Sequence, residues 1–134
     1  MNLFKHNLFI AESQNYIDIT TIIKDDIKKT TIKNGIVLVY CPHTTAGITI
    51  NENADPDVIH DLIYGFNKAF PINDNNYKHF EGNSHAHLKS STINPSQSLI
   101  LNEGNIILGT WQSVYFVEFD GPRNRNFYVK ILEG

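Results

Sequence analysis

The chain has 134 residues and a net charge of −3, from 11 lysines and arginines against 14 aspartates and glutamates. This length predicts a single domain over residues 1–134 with its own apolar core, and the spread of both charge signs argues against a general nucleic-acid binder, which usually has a basic excess. One cysteine excludes an intrachain disulfide, and no apolar run reaches the length of a membrane span, so we expect a cytoplasmic protein without nucleic-acid or membrane partners.

The first quarter of the chain predicts two short strands and a helix. Residues 8–11 form an apolar run and residues 16–19 alternate, so we interpret the second segment as the hairpin partner of the first. A helix then begins at Thr20 or Thr21, whose hydroxyl is able to cap free main-chain amides. We expect this helix to end at Asn34, because Asn and the glycine after it tolerate the left-handed conformation common after helices.

Two strands and the clearest helix follow. The β-branched run 36–40 predicts a central strand buried on both faces, and residues 47–50 predict the next strand. Asp55 and Pro56 are typical of a helix start, because Asp accepts from a free amide and Pro suits the first turn. Apolar residues then recur at helical spacing as far as Phe66, so we expect an amphipathic helix.

A polar loop and a short helix are predicted next. Residues 72–83 are rich in Asn and Asp, and loops of this length in compact domains are often functional. Residues 84–93 fit either a helix capped by Asn83 or an alternating strand. We favour the helix, which ends before Asn94 and Pro95.

The last third of the chain predicts antiparallel strands. A hairpin covers residues 98–108. Side chains alternate along a strand over residues 111–119, so that Glu118 shares one face with two apolar neighbours. The loop 120–125 then returns into a strand over 127–132. Together the elements indicate an α+β fold, a mostly antiparallel sheet or sandwich with two or three helices packed on it.

The stretch from Cys41 to Pro56 has more reactive groups than any other window of its length: a thiol, an imidazole, three threonine hydroxyls, two amides and two carboxylates. Because a nearby imidazolium lowers the pKa of a thiol, Cys41 and His43 are candidate catalytic residues. The alternative is that Cys41 fills space in the core as a small apolar residue.

Further polar groups are candidates for binding a substrate or a phosphate. The guanidinium of Arg123 suits bidentate phosphate recognition, and the main-chain amides of a helix that starts at Asn83 would assist it. The alternative is that Arg123 and Arg125 are solvated charges in a loop. The predicted substrate- and phosphate-binding residues are Thr44, Thr45, Asn51, Glu52, Asn83, Ser84 and Arg123.

Histidines from two segments are candidate metal ligands. His43, His87 and Glu52 would form a three-ligand site with an open position for a divalent ion, Mg²⁺ or Zn²⁺. His85 and His87 are able to share an ion on a strand, where residues i and i+2 point to one face, but on a helix they lie about 200° apart. Since we favour a helix here, His85 is left out of the set. The alternative is that these imidazoles only form hydrogen bonds with each other and the backbone.

Five blocks of the sequence resemble the signature blocks of the YjbQ family, in the same order and across nearly the whole chain. They cover residues 42–47, 51–56, 81–88, 109–112 and 120–123. The resemblance implies a small α+β domain that usually assembles as a homotrimer. It also implies a weak or secondary thiamine-phosphate synthase activity, which joins a pyrimidine pyrophosphate to a thiazole phosphate.

The resemblance also bears on single residues. It implies a functional role for Arg123 but not for Arg125, and family members often have Asp where this chain has His85. The predicted catalytic residues are Cys41, His43, His87 and Arg123.

Three functions are compatible with these residues. In a transferase that handles phosphate groups, Arg123 neutralises the leaving pyrophosphate and Cys41 only lines the pocket. In a metal-dependent hydrolase or lyase, His43 and His87 hold an ion that lowers the pKa of bound water. In the third, a non-enzymatic trimer binds a small phosphorylated metabolite without turnover.

Overall fold

The computed structural model describes residues 2–134, which form two antiparallel sheets and three helices. The strands are β1 (Leu3–Ile10), β2 (Asn15–Asp18), β3 (Gly35–Tyr40), β4 (Ala46–Glu52), β5 (Ser96–Asn102), β6 (Asn105–Ile106), β7 (Gln112–Glu118) and β8 (Arg123–Glu133). The helices are α1 (Thr20–Lys28), α2 (Pro56–Ala69) and α3 (Ser84–Ile93). The predicted α+β class is confirmed.

The strands divide into a five-stranded sheet, β1-β8-β3-β5-β6, and a three-stranded sheet, β2-β7-β4. β1 pairs along its whole length with β8, from Leu3 opposite Lys130 to Ile10 opposite Arg123, whereas β2 pairs with β7. The predicted hairpin between the first two strands is therefore wrong. The short connection between β1 and β2 carries the chain from one sheet to the other, and each strand finds its partner late in the sequence.

The main core lies between the two sheets, where α1 also packs. The other face of β7, with Tyr115 and Val117, is covered by α2 and α3, so the predicted alternation along this strand is confirmed. β3 is buried on one face only, because Ile36 and Tyr40 on its outer face are 48% and 44% exposed. The prediction that β3 is buried on both faces is wrong, since within residues 2–134 no layer covers the outer face of β3.

α1 ends at Lys28, several residues before the predicted stop. The hydroxyl of Thr30 donates to the carbonyl of Ile27 and closes the last turn. Gly35 begins β3 instead of ending the helix. It has φ +147°, and a Cβ there would lie 1.8 Å from the carbonyl oxygen of Leu132, so no larger residue fits between the strands.

α2 follows the predicted signals. Asp55 caps α2 by accepting from the amide of Asp57, and Pro56 occupies the first turn.

α3 begins at Ser84, but the predicted cap is wrong, because the Asn83 side chain makes no capping hydrogen bond and donates to Asp120 instead. α3 packs tightly on β4, because the Ser90 hydroxyl donates to the Ala46 carbonyl and a Cβ on Gly47 would lie 2.7 Å from a carbonyl oxygen at the end of this helix. This close contact holds the C-terminal half of α3 against β4.

None of the helices in residues 2–134 combines the length and apolar character needed to cross a membrane.

Candidate functional site

A pocket of about 440 Å³, here called the polar pocket, lies where β3 ends, β8 begins and α3 begins. Its lining residues are Pro42, His43, Thr44, Thr45, His79, Glu81, Asn83, His87, Arg123 and Arg125. The structure therefore brings together six of the predicted site residues from three distant segments: His43, Thr44, Thr45, Asn83, His87 and Arg123.

A buried ion pair between Arg125 and Glu118 forms part of one wall of the polar pocket. Arg125 donates from Nε to Glu118 Oε1 at 2.6 Å and from one Nη to the other carboxylate oxygen. The same nitrogen also donates to the Thr45 hydroxyl at 2.7 Å. Arg125 and Glu118 are 6% and 0% exposed, so this guanidinium is a fixed structural group. The prediction of a solvated loop charge is wrong for Arg125, because β8 begins at Arg123 and carries it inward.

Arg123 lies two residues earlier and is held differently. Its guanidinium donates to the Asp120 carbonyl at 2.9 Å and to Asp120 Oδ2 at 2.8 Å, and Oδ2 also accepts from the Asn83 side chain at 2.8 Å. The Arg123 side chain remains 46% exposed. Within residues 2–134 its second Nη has no hydrogen-bond partner, so the guanidinium is positioned at the pocket and still has free donors.

The contacts between Arg123 and Asp120 shift both pKa values so that each group keeps its charge. Burial by itself raises the pKa of the Asp120 carboxyl, but hydrogen bonds from Asn83 and Arg123 outweigh it and the pKa falls below its usual range. The hydrogen bond to Asp120 raises the pKa of Arg123. Both groups are therefore charged at neutral pH.

His43 is fixed in one tautomer. Its Nε2 accepts from the main-chain amide of Asn126 at 2.9 Å, so the proton of the neutral ring resides on Nδ1. Burial and then the positive charge of Arg125 lower its pKa. At neutral pH this residue is a neutral imidazole whose single ring donor is Nδ1–H.

His79 and Glu81 also line the polar pocket, although neither was among the predicted site residues. The His79 ring lies edge-to-face with the His87 ring, with centroids 5.3 Å apart, and its Nε2 is 3.8 Å from Glu81 Oε1. Both residues belong to the long polar loop over 72–83. The length of that loop was the sequence signal for His79, and Glu81 also begins the block 81–88 that resembles the family.

Cys41 does not lie in the polar pocket. It is 1% exposed and belongs to the main core. Burial raises the pKa of its thiol to about 11, so almost no thiolate forms at neutral pH. The candidate role of Cys41 as a nucleophile is therefore wrong, and the structure supports the alternative of a space-filling thiol.

Asn51 and Glu52 are also distant from the polar pocket. They end β4, whereas Thr45 and His43 precede its start at Ala46, and a strand of this length spans about 20 Å. The side chain of Asn51 accepts from the amide of Glu52. The set of His43, His87 and Glu52 thus does not assemble within one chain. No group of three or more His, Cys, Asp or Glu side chains in residues 2–134 is arranged to hold a metal ion.

His85 and His87 face different directions, as the helix predicts. His85 is buried, and its Nδ1 lies 2.7 Å from Nζ of Lys89, one turn further along α3. Burial and then the Lys89 charge lower the pKa of His85. His85 therefore belongs to the helix interface, whereas His87 of α3 and Asn83, which precedes it, line the polar pocket.

The arrangement is suited to an anion. Arg123 offers a positive charge with free donors, and His43 and the threonine hydroxyls add neutral donors. Glu81 on the rim carries a negative charge, but it is exposed and solvent screens it. A thiolate nucleophile or a preformed metal centre is not part of this site in residues 2–134.

Comparison with known proteins places the chain. A family model described as UPF0047 protein YjbQ-like matches residues 5–134. A UPF0047 protein of Methanocaldococcus jannaschii is 51% identical over 97% of this chain and 94% of its own length, and the UPF0047 protein YugU of Bacillus subtilis is 53% identical over 87% and 88%.

Solved structures agree with these matches. An uncharacterised YjbQ/UPF0047 protein of Clostridium acetobutylicum has a TM-score of 0.94 and 49% identity, over 96% of this chain and 99% of that one. A protein of unknown function from Sulfolobus solfataricus has a TM-score of 0.94 at 30% identity, over 98% and 96%. The chain belongs to the YjbQ-like UPF0047 family.

Proposed function

We propose that the polar pocket binds the phosphate groups of a small phosphorylated compound and that the protein is a transferase acting on that compound. The observation that carries this proposal is the state of Arg123, which Asp120 orients while its second Nη stays free at the pocket. Asp120 presets the guanidinium, so little side-chain entropy is lost when a phosphate binds. His43, whose ring donor is Nδ1–H, and Thr44 line the same pocket and add neutral donors.

The specific reaction we propose is the thiamine-phosphate synthase-like transfer that the family resemblance implies. The bond between the pyrimidine methylene carbon and the pyrophosphate oxygen breaks, and pyrophosphate leaves with the electron pair. The thiazole nitrogen then forms a bond to the methylene cation. Such a reaction needs stabilisation of the leaving anion more than it needs covalent catalysis. Arg123 supplies the charge, and the neutral His43 donates a hydrogen bond to a phosphate oxygen.

A divalent ion enters this proposal as part of the substrate. Mg²⁺ usually keeps several waters and binds substrate phosphates with one or two carboxylates, and Glu81 is the carboxylate in the pocket lining. A zinc ion held by His43, His87 and Glu52 does not fit, since Glu52 lies at the far end of β4. The metal-dependent hydrolase is therefore the weaker alternative.

Pyrophosphate binding tests the proposal. We expect titration calorimetry with Mg²⁺-pyrophosphate to give an affinity that falls at least about tenfold in Arg123→Met, because charge-assisted hydrogen bonds contribute roughly 1.5–3 kcal/mol. Lys24→Met, which removes an exposed cation on α1, is the matched control and should bind as the wild type does. Equal affinity in the two variants would refute the phosphate site.

Turnover separates an enzyme from a binder. Incubation of the protein with a pyrimidine pyrophosphate, a thiazole phosphate and Mg²⁺ should yield thiamine phosphate, and the yield should fall in Arg123→Met and in His43→Ala. Binding without any product would favour the non-enzymatic alternative. Elemental analysis of untagged protein should find no stoichiometric zinc; a full equivalent of zinc lost in His43→Ala would favour the hydrolase.

We also propose that the protein is a homotrimer, as the resemblance implies. Support comes from the outer face of the larger sheet, where exposed apolar side chains are adjacent: Ile36 lies opposite both Ile100 and Leu132. Contiguous exposed apolar surface of this kind marks interaction sites. Light scattering should give three times the chain mass of 15.3 kDa, and Ile36→Lys should lower it; a monomeric wild type would contradict the proposal.

A further inference from the structure

The side chain of Lys89 on α3 is fully buried, at 0% exposed. Its Nζ donates to three neutral acceptors: Asn67 Oδ1 at 2.5 Å, His85 Nδ1 at 2.7 Å and Gln14 Oε1 at 3.4 Å. No carboxylate in residues 2–134 forms an ion pair with it. A charged lysine has three N–H donors, so three acceptors match the ammonium form. Lysines are almost never fully buried unless they are paired, so packing alone does not explain this side chain.

The three acceptors come from three parts of the fold. Gln14 lies in the connection between β1 and β2, Asn67 lies near the end of α2, and His85 is in the first turn of α3. The Gln14 side chain also donates to Asn67 at 3.0 Å, so the ammonium and the two carboxamides form a closed ring of hydrogen bonds. The Lys89 ammonium therefore joins α2, α3 and the β1–β2 connection.

The β1–β2 connection also holds the loop that precedes Arg123. The amide of Gly121 donates at 2.9 Å to the carbonyl of Ser13, the residue directly before Gln14. The packing here is close, because a Cβ on Gly121 would lie 1.9 Å from the carbonyl oxygen of Glu12. The position of this loop thus depends on the connection, which the ammonium holds through Gln14.

The start of α3 holds the same loop through a side chain. Asn83, two residues before His85, donates to Asp120 Oδ2 at 2.8 Å, and the same oxygen accepts from Arg123. His85 is in turn bonded to Lys89, one turn further along the helix. The hydrogen bonds of Lys89 therefore lead to the pair of Asp120 and Arg123 by two routes, one through each segment.

We infer that Lys89 is a positioning residue for the phosphate site, because its ammonium holds the two segments that orient Asp120 and Arg123. The inference rests on the proposed function, since affinity for phosphate is the property that Lys89 controls. Loss of the proton leaves two N–H donors for three acceptors and removes the buried positive charge. Burial lowers the pKa of Lys89 to about 8, so phosphate affinity should be full below that pH and should fall as the pH rises through it.

The surroundings of the ammonium do not change charge in the same way. Its contacts on α2 and on the connection are carboxamides, and His85 has a lowered pKa, from burial and then from the Lys89 charge, so it is neutral above pH 7. The charged residues on the surrounding segments are Glu12, Lys68 and Asp120. The first two are exposed, and the third is already ionised at neutral pH. Lys89 is therefore the group of this cluster that titrates near pH 8.

Binding of methyl phosphate at pH 7 and at pH 9 tests the inference. The second pKa of a phosphate monoester is about 6, so this ligand keeps its charge over the range. Titration calorimetry should show that the affinity of the wild type falls at least about fivefold from pH 7 to pH 9. Lys89→Met has no charge to lose, so it should bind weakly at both values, with a change of less than about twofold.

His85→Asp separates positioning by the charge from simple packing. A carboxylate one turn from the ammonium favours its charged form, so Lys89 should keep its proton beyond pH 9. The affinity of this variant should then differ by less than about twofold between the two pH values. His60→Asp makes the same change of side chain on the exposed face of α2 and is the matched control, which should keep the wild-type decline.

Equal affinity of the wild type at pH 7 and pH 9, or a decline that persists in Lys89→Met or in His85→Asp, would refute the positioning role while the phosphate site stands. If Lys89→Met does not fold, the wild type and His85→Asp still give the answer. If the wild type binds neither methyl phosphate nor Mg²⁺-pyrophosphate at pH 7, the proposed function itself fails.

Discussion

Two arginines, two positions apart on β8, have opposite surroundings. Arg125 is buried against Glu118 and Thr45, whereas Arg123 is half exposed and is held by Asp120 at the mouth of the polar pocket. Each guanidinium has a carboxylate partner, and within residues 2–134 each directs Nε and one Nη at protein acceptors. They differ in exposure, because Arg125 is buried and the Arg123 side chain is 46% exposed. The number of charges near a pocket therefore says less about its ligand than the accessibility of each charge to that ligand.

Because Arg125 is buried and Arg123 is exposed, we expect the first to contribute mainly to folding stability and the second mainly to ligand binding. A buried ion pair is costly to break, because the remaining charge has no solvent to stabilise it. An exposed pair contributes little, because water and salt screen it. Changes at the two arginines should thus affect different measurements, although the residues are close in space.

The largest effect is expected for Arg125→Met. The substitution leaves Glu118 buried without its partner, so the free energy of unfolding should fall by about 3–5 kcal/mol in urea denaturation. The double variant Glu118→Gln with Arg125→Met should lose less than the single variant, because it removes both charges. A loss below about 1 kcal/mol in the single variant would show that the pair is not the structural support we describe.

The same substitution at position 123 should spare stability. Arg123→Met breaks an exposed pair, so the free energy of unfolding should change by about 1 kcal/mol or less, even though affinity for Mg²⁺-pyrophosphate falls. Urea denaturation and calorimetry on one protein preparation measure both quantities. Loss of stability comparable to that of Arg125→Met would remove the distinction between the two arginines.

A smaller effect concerns His43, whose pKa burial and the Arg125 charge lower. The unfolded chain binds a proton near pH 6.5 while the folded chain resists it, so stability is full above that pH and declines as the pH falls through the lowered folded pKa. The slope is at most about 1.4 kcal/mol per pH unit for one such group. His43→Gln should make this decline shallower, and His60→Gln on the exposed face of α2 is the control. An unchanged slope would contradict the assignment.

The smallest effect is expected at Cys41. With its thiol buried and its pKa raised to about 11, a thiol reagent at pH 8 should label the folded protein at a rate limited by unfolding, and should label it at once in urea. Cys41→Ala should leave Mg²⁺-pyrophosphate affinity within about twofold of the wild type. A loss comparable to that of Arg123→Met would contradict the conclusion that Cys41 has no role in binding.

Local signals explain what the sequence was able to predict. Asp55 and Pro56 predicted the start of α2, and Asn94 with Pro95 predicted the end of α3, because caps and breakers act within one turn. The partner of β1 was not predictable in this way, since Leu3 pairs with Lys130 at the other end of the chain. Patterning shows which face of a strand is apolar but not which strand lies beside it.

The site was predicted in part for the same reason. His43, Thr44, Asn83 and Arg123 come from marked blocks and do line the polar pocket, whereas the burial of Arg125 was missed. The sequence did hold a signal for a buried cation, because Glu118 lies on the same face of β7 as the core residues Val114 and Phe116. A carboxylate in such a position requires a buried cation, and this chain has few arginines to provide one.

The hydrogen bond that fixes the tautomer of His43 has a genetic consequence. Its donor is the main-chain amide of Asn126, and every amino acid except proline supplies the same amide. Almost any substitution of Asn126 therefore keeps the hydrogen bond that sets the tautomer of His43. The side chain at position 126 is able to vary without changing which ring nitrogen carries the proton. Proline at position 126, replacement of the imidazole itself, or a shift in the path of β8 would remove the hydrogen bond that sets which ring nitrogen carries the proton.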